Sequence, residues 1–133
     1  MAGIKHDRVA LDPFTRSYVE CALWLGQDGT SEADPNDGSI DLRAEYGWSD
    51  LSESAQARIL ADCAAFQAEH GELIGAEADR AGSDFLLTRN RHGAGFWDGD
   101  WPREIGKVLT DASHPYGDFV LVLTDDGTIE SQG

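Results

Sequence analysis

The segment Asp84–Trp101 holds the side chains best suited to chemistry, and it reads DFLLTRNRHGAGFWDGDW. His92 could act as a general base or as a nucleophile, because an imidazole changes protonation near neutral pH. Arg89 and Arg91 could hold an anion beside it, since guanidinium groups bind carboxylates and phosphates. With Asn90 between the two arginines, these residues form a compact polar set. Their types fit a small enzyme acting on an anionic substrate, or a binding surface.

The pattern around this polar set matches no catalytic or cofactor signature. The glycines of the H-G-A-G stretch lack the spacing of a dinucleotide-binding fingerprint and the Lys-Ser/Thr of a phosphate-binding loop. The four His and two Cys are scattered, and their spacing fits no zinc site. Phe96, Trp97 and Trp101 beside the arginines resemble a stacking platform for single-stranded nucleic acid, but without a surrounding basic field. We therefore predict no catalytic residue, no metal site and no cofactor.

The net charge of the chain is −15, from 25 acidic and 10 basic residues in a total of 133. Residues 20–79 alone hold 14 Asp and Glu, against Arg43 and Arg58 as their only bases. Such a surface repels nucleic acids and membrane phosphates, and it attracts basic surfaces. We therefore predict a basic protein partner, with no direct binding of nucleic acid or membrane.

The acids of residues 27–47 are the main candidates for contact with that partner. This stretch is rich in Asp, Ser and Gly, and Pro35–Gly38 is a turn signal, so we predict an acidic surface loop. It is not a calcium loop, because Pro35 interrupts the required order of acids and Glu45 is offset from the last ligand position. The predicted binding residues are the acids of the loop and the polar set: Asp28, Glu32, Asp34, Asp37, Asp41, Glu45, Arg89, Asn90, Arg91 and His92.

Hydrophobic spacing predicts two helices in the first half of the chain. Asp12-Pro13 has the pattern of a helix start, and an apolar stripe follows until Gly26. Asp50–Glu53 has the pattern of a capping box, and a second apolar stripe follows it at helical spacing. Residues 1–11 are expected to form a loose arm.

The second half is predicted to hold strands and one further helix. The apolar run Phe85–Leu87 and the glycines after it predict a β-hairpin over Asp84–Trp101, with the polar set at its tip. A third helix is expected from Trp101-Pro102 to His114-Pro115. Phe119–Leu123 then predicts a buried strand, and Asp125-Asp126-Gly127 returns the chain as a short edge strand.

Together these elements predict a single α+β domain over residues 1–133. Two N-terminal helices precede a β-hairpin, a helix and a C-terminal β-hairpin. The strands are expected to form a small, mainly antiparallel sheet with the helices packed on it.

Cysteine use and the N-terminal sequence bear on the compartment. Cys21 and Cys63 lie far apart in helical surroundings, which predicts buried thiols in a reducing environment. The first residues lack the apolar core of a signal peptide, and no apolar run reaches membrane-spanning length. We therefore expect a cytoplasmic protein.

The segment D-F-L-L-T-R-N-R-H-G-A-G-F-W-D is similar to D-F-W-L-T-R-N-G-H-G-A-G-F-W-D in a group of small acidic proteins associated with bacteriophages and prophages. The resemblance extends to Tyr18–Trp24, to Asp62-Cys63 and to Asp125–Gly127, and so covers most of residues 14–129. This chain departs from the group at Leu86, where Trp is usual, and at Arg91, where Gly is usual. The resemblance implies a phage or prophage origin and a bacterial host cell. It assigns no activity.

These observations favour a phage or mobile-element accessory protein that acts by protein–protein binding. Its candidate role is inhibition of a host nucleic-acid-handling defence protein, of the anti-restriction or anti-CRISPR type, through an acidic surface that imitates nucleic acid. Two alternatives stay open. One is a small enzyme that uses His92 with Arg89 or Arg91 on an anionic substrate, and the other is a phage binding module without an inhibitory role. The sequence leaves the oligomeric state open.

Overall fold

The computed structural model describes residues 11–92 and 94–133 of the chain. In this part the chain forms four helices and four short strands. The helices are α1 (Pro13–Trp24), α2 (Glu53–Ile74), α3 (Ala78–Arg89) and α4 (Arg103–Ser113), and the strands are β1 (Gly26–Asp28), β2 (Ser39–Ile40), β3 (Val120–Leu123) and β4 (Ile129–Gln132). Short 3₁₀ turns cover Trp48–Asp50 and His114–Tyr116. The fold is α+β, as the sequence predicts.

The four strands form one mixed sheet in the order β2-β1-β3-β4. β1 pairs with β2 and β3 pairs with β4 in antiparallel fashion, whereas the central pair, β1 with β3, is parallel. The predicted C-terminal hairpin is therefore confirmed as β3 and β4. The predicted loop over residues 27–47 instead contains two strands, because β3 supplies the hydrogen-bonding edge that these short polar segments cannot supply themselves.

The predicted β-hairpin over Asp84–Trp101 is wrong, because helix α3 runs through Arg89 and irregular chain follows it. A short apolar run such as Phe85–Leu87 fits a strand and a buried helix equally well. The helical period shows in Ala81, Phe85 and Arg89, which are four residues apart and all buried. The sheet therefore takes its first two strands from the acidic stretch and not from this segment.

Helices α1 and α3 pack closely through small residues. A Cβ atom on Gly82 would overlap the backbone carbonyl of Phe14, so only glycine permits this approach. Beside it the hydroxyls of Ser17 and Ser83 lie 2.6 Å apart, and the Ser83 amide donates to the Ser17 hydroxyl at 2.9 Å. Around this contact, buried side chains from all four helices and from β3 and β4 form one hydrophobic cluster.

The side chain of Arg89 lies inside that cluster, with 1% of its surface exposed. Its guanidinium donates to the Asp62 carboxylate at 2.9 Å and to the Tyr18 hydroxyl at 3.0 Å. It also donates to the backbone carbonyls of Tyr116 at 2.9 Å and Gly117 at 2.8 Å. One buried cation thus joins α1, α2, α3 and the segment that leads into β3.

Asn90, the next residue, fixes the start of β3. Its side-chain amide donates to the Phe119 carbonyl at 2.8 Å, and its side-chain oxygen accepts from the Phe119 amide at 2.7 Å. Both backbone groups of Phe119 are therefore satisfied by a single side chain. The two hydrogen bonds set where β3 enters the sheet.

Asp84 and Trp101 form a second buried polar contact. The indole Nε1 of Trp101 donates to the Asp84 carboxylate at 2.7 Å, and Arg80 stacks over the Trp101 ring at 4.8 Å from its centroid. Burial raises the pKa of Asp84 above its ordinary value, although the bond from Trp101 opposes this effect. The contact holds the irregular segment after α3 against the helix.

Of the two capping residues predicted in the first half of the chain, one is confirmed. The Asp12 carboxylate accepts from the Thr15 amide at 2.8 Å and caps α1, as predicted. Helix α2 is capped by Ser52, which accepts from the Ala55 amide at 3.0 Å, and not by Asp50. The predicted arm over residues 1–11 lies outside the described residues except for Leu11. In the described part of the chain, no helix combines the length and the apolarity that crossing a bilayer requires.

Replacing Arg89 with Met should destabilise the protein by about 3 kcal/mol or more, because the Asp62 carboxylate loses its buried partner and two carbonyls lose a donor. Urea unfolding at neutral pH measures the change. Arg91→Met is the matched control: it removes the same charge from an exposed neighbour and should change stability by at most about 0.5 kcal/mol. Equal effects of the two substitutions would contradict the role of Arg89.

Asp84→Asn should stabilise the protein relative to wild type more at pH 7 than at pH 4. Because the folded-state pKa of Asp84 is raised, the native state binds this proton more readily than the unfolded state does. The Asp84 carboxyl therefore adds stability to the wild type as the pH falls from neutral towards its ordinary pKa, and this contribution is absent from the Asn variant. Urea unfolding across this range measures the difference, with Asp79→Asn, an exposed change on the same helix, as control for net charge. A difference independent of pH would contradict the assignment.

Candidate protein-binding surface

The acid-rich loop and the β3–β4 turn emerge at the same end of the sheet. Because β1 and β3 are parallel, with Asp28 beside Leu123, their C-terminal ends lie next to each other. The Gly29 amide donates to the Leu123 carbonyl at 2.8 Å and so extends this pairing beyond β1. Residues 29–38 and 124–128 therefore form one surface.

A side-chain contact ties the two segments together. The Asp125 carboxylate accepts from the Ser31 amide at 2.8 Å and from the Ser31 hydroxyl at 3.1 Å. The residues are 94 positions apart in sequence, so the contact fixes the loop against the turn. Asp125 is a residue that the sequence treats only as a turn former.

Three acids of this surface accept hydrogen bonds from residues of their own turns. The Asp28 carboxylate accepts from the Thr30 amide and hydroxyl at 2.9 and 2.6 Å, and Asp37 accepts from the Ser39 amide and hydroxyl at 3.0 and 2.7 Å. Asp34 accepts from the Asn36 amide at 2.8 Å. Such turns fix the direction of a carboxylate while leaving its other oxygen free for a partner.

The same hydrogen bonds keep several of these acids ionised. Bonds from the hydroxyl and the amide of Thr30 hold the pKa of Asp28 below its ordinary value, and those from Ser39 do the same for Asp37. In the neighbouring turn, the Thr124 hydroxyl and the Thr128 amide lower the pKa of Asp126. These three carboxylates are therefore ionised at neutral pH.

The start of α2 adds further acids to this end. Ser52 donates its amide to the Ile129 carbonyl at 2.9 Å, which brings residues 49–53 beside the turn. A cleft of about 440 Å³ between them is lined by Asp50, Glu53 and Asp126 among others. We call the whole surface the acidic end, and its members are Asp28, Glu32, Asp34, Asp37, Asp50, Glu53, Asp125 and Asp126. The segments that form it, residues 27–38, 49–53 and 124–128, contain no Lys or Arg.

The structure separates two of the predicted loop acids from the others. β2 carries the chain back along β1, so Asp41 and Glu45 follow it at the opposite end of that strand pair. Asp41 also binds Arg43, with its two oxygens accepting from Nε at 3.0 Å and from Nη2 at 2.8 Å. Its charge is therefore partly neutralised within the chain.

The polar set of residues 89–92 does not form a surface tip. Arg89 is buried and its donors are used within the fold, so it cannot hold a ligand, and the expectation of an exposed arginine there is wrong. Asn90 is engaged with Phe119. Arg91 and His92 are exposed, and Arg91 has a φ of 58°, which is rare for a residue other than glycine. Of the two arginines predicted to hold an anion beside His92, Arg89 is buried and Arg91 is exposed.

No family model, curated protein or solved structure matches this chain. In residues 11–92 and 94–133, no three His, Cys, Asp or Glu side chains are grouped so that they could hold a metal ion.

The acidic end presents carboxylates on a fixed surface. Sequence reasoning found half of its acids. Asp125 and Asp126, two consecutive acids in the sequence, join the surface through the pairing of β1 with β3. Asp50 and Glu53 join it because residues 49–53 lie beside the β3–β4 turn.

Asp125→Ala should release the loop from the turn. Amide hydrogen exchange at Ser31 should accelerate about tenfold or more, since the amide loses its acceptor, while the free energy of unfolding changes by at most about 1 kcal/mol. Exchange followed by NMR measures the first effect and urea unfolding the second. Glu32→Ala, an exposed acid of the same loop, serves as control and should leave Ser31 unchanged. Unaltered exchange in the Asp125 variant would show that the contact does not order the loop.

Proposed function

We propose that this chain is a binding protein whose acidic end occupies the basic, nucleic-acid-binding surface of another protein. The observation that carries the proposal is the set of ionised carboxylates held on two turns that are bonded to each other through Ser31 and Asp125. Carboxylates fixed before binding lose little conformational entropy when a partner docks, so more of the electrostatic attraction contributes to affinity.

Nucleic-acid-binding proteins fit such a surface because their own binding sites are lined with Lys and Arg for phosphate contact. The acidic end presents eight carboxyl groups and no base in the segments that form it. An unbalanced charge of this kind accelerates association with a basic surface at low salt. It also excludes other acidic proteins as partners.

The resemblance of Asp84–Trp101 to phage- and prophage-associated proteins supports a narrower version of the proposal. In that version the chain is an accessory protein of a phage or mobile element, and its partner is a host defence protein that handles nucleic acid. Of the residues shared with that group, Arg89 and Asn90 are engaged in contacts within the fold, so the resemblance supports kinship, and the acidic end supplies the proposed contact.

The experiment compares two variants with the same change of net charge. The first neutralises five acids of the acidic end as Glu32→Gln, Asp34→Asn, Asp37→Asn, Asp125→Asn and Asp126→Asn, which retain acceptor oxygens for the turns. The control neutralises five exposed acids elsewhere as Glu69→Gln, Glu72→Gln, Glu77→Gln, Asp79→Asn and Glu104→Gln. Each protein is immobilised and exposed to a bacterial lysate that has been cleared of nucleic acid.

We expect wild type and the control to retain a basic nucleic-acid-binding protein. The first variant should retain about tenfold less of it, or even less than that. A duplex DNA of 20 base pairs should compete for it, and the affinity should fall as salt rises from 50 to 200 mM. Equal retention by all three proteins, or a captured partner that DNA does not displace, would contradict the proposal.

A further inference from the structure

A cleft with aromatic walls lies between the segment after α3 and the outer face of α4, and we call it the Trp97 cleft. Its volume is about 480 Å³, within the range of small-molecule sites. Phe96, Trp97 and Trp101 line one side, and Arg103 and Lys107 line the other, with the remaining lining from Gly99, Gly106, Thr110 and Asp111. It is formed by elements other than those of the acidic end.

The floor of the cleft is fixed by contacts made deeper in the fold. Trp101 is 6% exposed and is held by its bond to Asp84, and Phe96 packs edge-on against it with ring centroids 5.4 Å apart. The Phe96 amide donates to the Thr88 hydroxyl at 3.0 Å. Gly106 gives the helix its close approach, because a Cβ there would come within 2.5 Å of the Phe96 carbonyl. The cleft is therefore formed before any ligand arrives.

Trp97 stands at the rim with 55% of its surface exposed. The residues on both sides of it, Phe96 and Asp98, take part in the contacts that order this segment, with the Asp98 amide donating to the Gly95 carbonyl at 3.3 Å. An indole held in water on an ordered segment exposes apolar surface without gaining a packing contact. It is suited to stack on a planar group.

The cations of the cleft determine the charge of that group. Arg103 and Lys107 are one helical turn apart, on the same face of α4. Lys107 is bound to Asp111 at 3.0 Å, an exposed pair of little strength. In the part of the chain that the structure describes, Arg103 has no carboxylate partner. The residues that line the cleft thus carry two cations and one carboxylate, that of Asp111, and the segment that holds Trp97 and Trp101 also carries the exposed Asp98 and Asp100.

We propose that the Trp97 cleft binds a small molecule that combines a planar ring with one anionic group, the ring against Trp97 and the anion at Arg103 and Lys107. The overall negative charge excludes a nucleic-acid strand, because each added phosphate is repelled by the acidic surface beyond the cleft. A single carboxylate or phosphate can pair directly with Arg103 and Lys107, and exposed charges more than about 8–10 Å away are screened at physiological salt.

Isothermal titration at physiological salt tests the proposal with four probes: adenosine 5′-monophosphate, indole-3-carboxylate, adenosine and inorganic phosphate. We expect at least one of the two aromatic anions to bind, and adenosine and phosphate to bind about tenfold more weakly or not at all. Which anion binds distinguishes a phosphate from a carboxylate ligand. Binding by neither aromatic anion, or binding of phosphate alone as tight as that of the aromatic anions, would overturn the proposal.

Two substitutions locate the site. Trp97→Ala and Arg103→Gln should each weaken binding of the aromatic anion by about tenfold, and both change exposed side chains, so the fold should persist. Trp24→Ala and Arg43→Gln are the matched controls, because Trp24 is 51% exposed and Arg43 lies 5.9 Å from its ring centroid. NMR signals of the indole N–H groups show whether Trp97 or Trp24 responds to the ligand. An equal loss of affinity in the control variants, or an NMR response at Trp24 alone, would contradict the location of the site at the Trp97 cleft.

Discussion

The buried guanidinium of Arg89 is the contact on which the arrangement of this fold depends. A cation inside a hydrophobic cluster is tolerated only when its donors are satisfied, since the desolvation cost of an unpaired charge exceeds what packing returns. Arg89 meets that requirement with acceptors from three separate parts of the chain: the Tyr18 hydroxyl of α1, the Asp62 carboxylate of α2 and the carbonyls of Tyr116 and Gly117. The ring faces of Phe85, Tyr116 and Phe119 lie within 5.5 Å of it and complete its surroundings. Helices α1, α2 and α3 and the entry to β3 are therefore held in place together by this one side chain.

The residues next to Arg89 extend this constraint in both directions. Asn90 determines where β3 begins, and β3 in turn gives β1 its partner, so the placement of the acidic loop follows from contacts made at the end of α3. Thr88 holds Phe96, and Asp84 holds Trp101, so the segment after α3 is ordered without regular structure. The densest stretch of the sequence is thus occupied largely by folding. Its exposed members, above all Trp97, are the side chains that packing leaves at the surface.

The sequence predicts the parts of this fold that local patterns determine. The cap at Asp12, the helix before Gly26 and the hairpin after Phe119 follow from spacing and turn residues, and the structure has them. The prediction of a hairpin over Asp84–Trp101 is wrong because the apolar run Phe85–Leu87 is too short to show whether its hydrophobic period is that of a helix or of a strand. The burial of Arg89 also depends on tertiary contacts. A buried arginine has no signature in one sequence. The sequence predicts half of the acids of the acidic end. Asp125 and Asp126 are brought to the loop by the parallel pairing and by the contact between Ser31 and Asp125, which are 94 positions apart.

Concentrated acid is costly for a small fold, because like charges repel in the compact state. If the charge served solubility alone, scattering it over the surface would reduce that repulsion. Here the acids of one end are gathered on two turns, without a Lys or Arg in the segments concerned, and a hydrogen bond between Ser31 and Asp125 holds those turns together. The hydroxyl and amide donors that lower the pKa of Asp28, Asp37 and Asp126 favour the ionised state instead of relieving the charge. On this surface, ordering and ionisation act in the same direction. The Trp97 cleft lies elsewhere in the fold and is lined by ordered aromatic rings and two local cations.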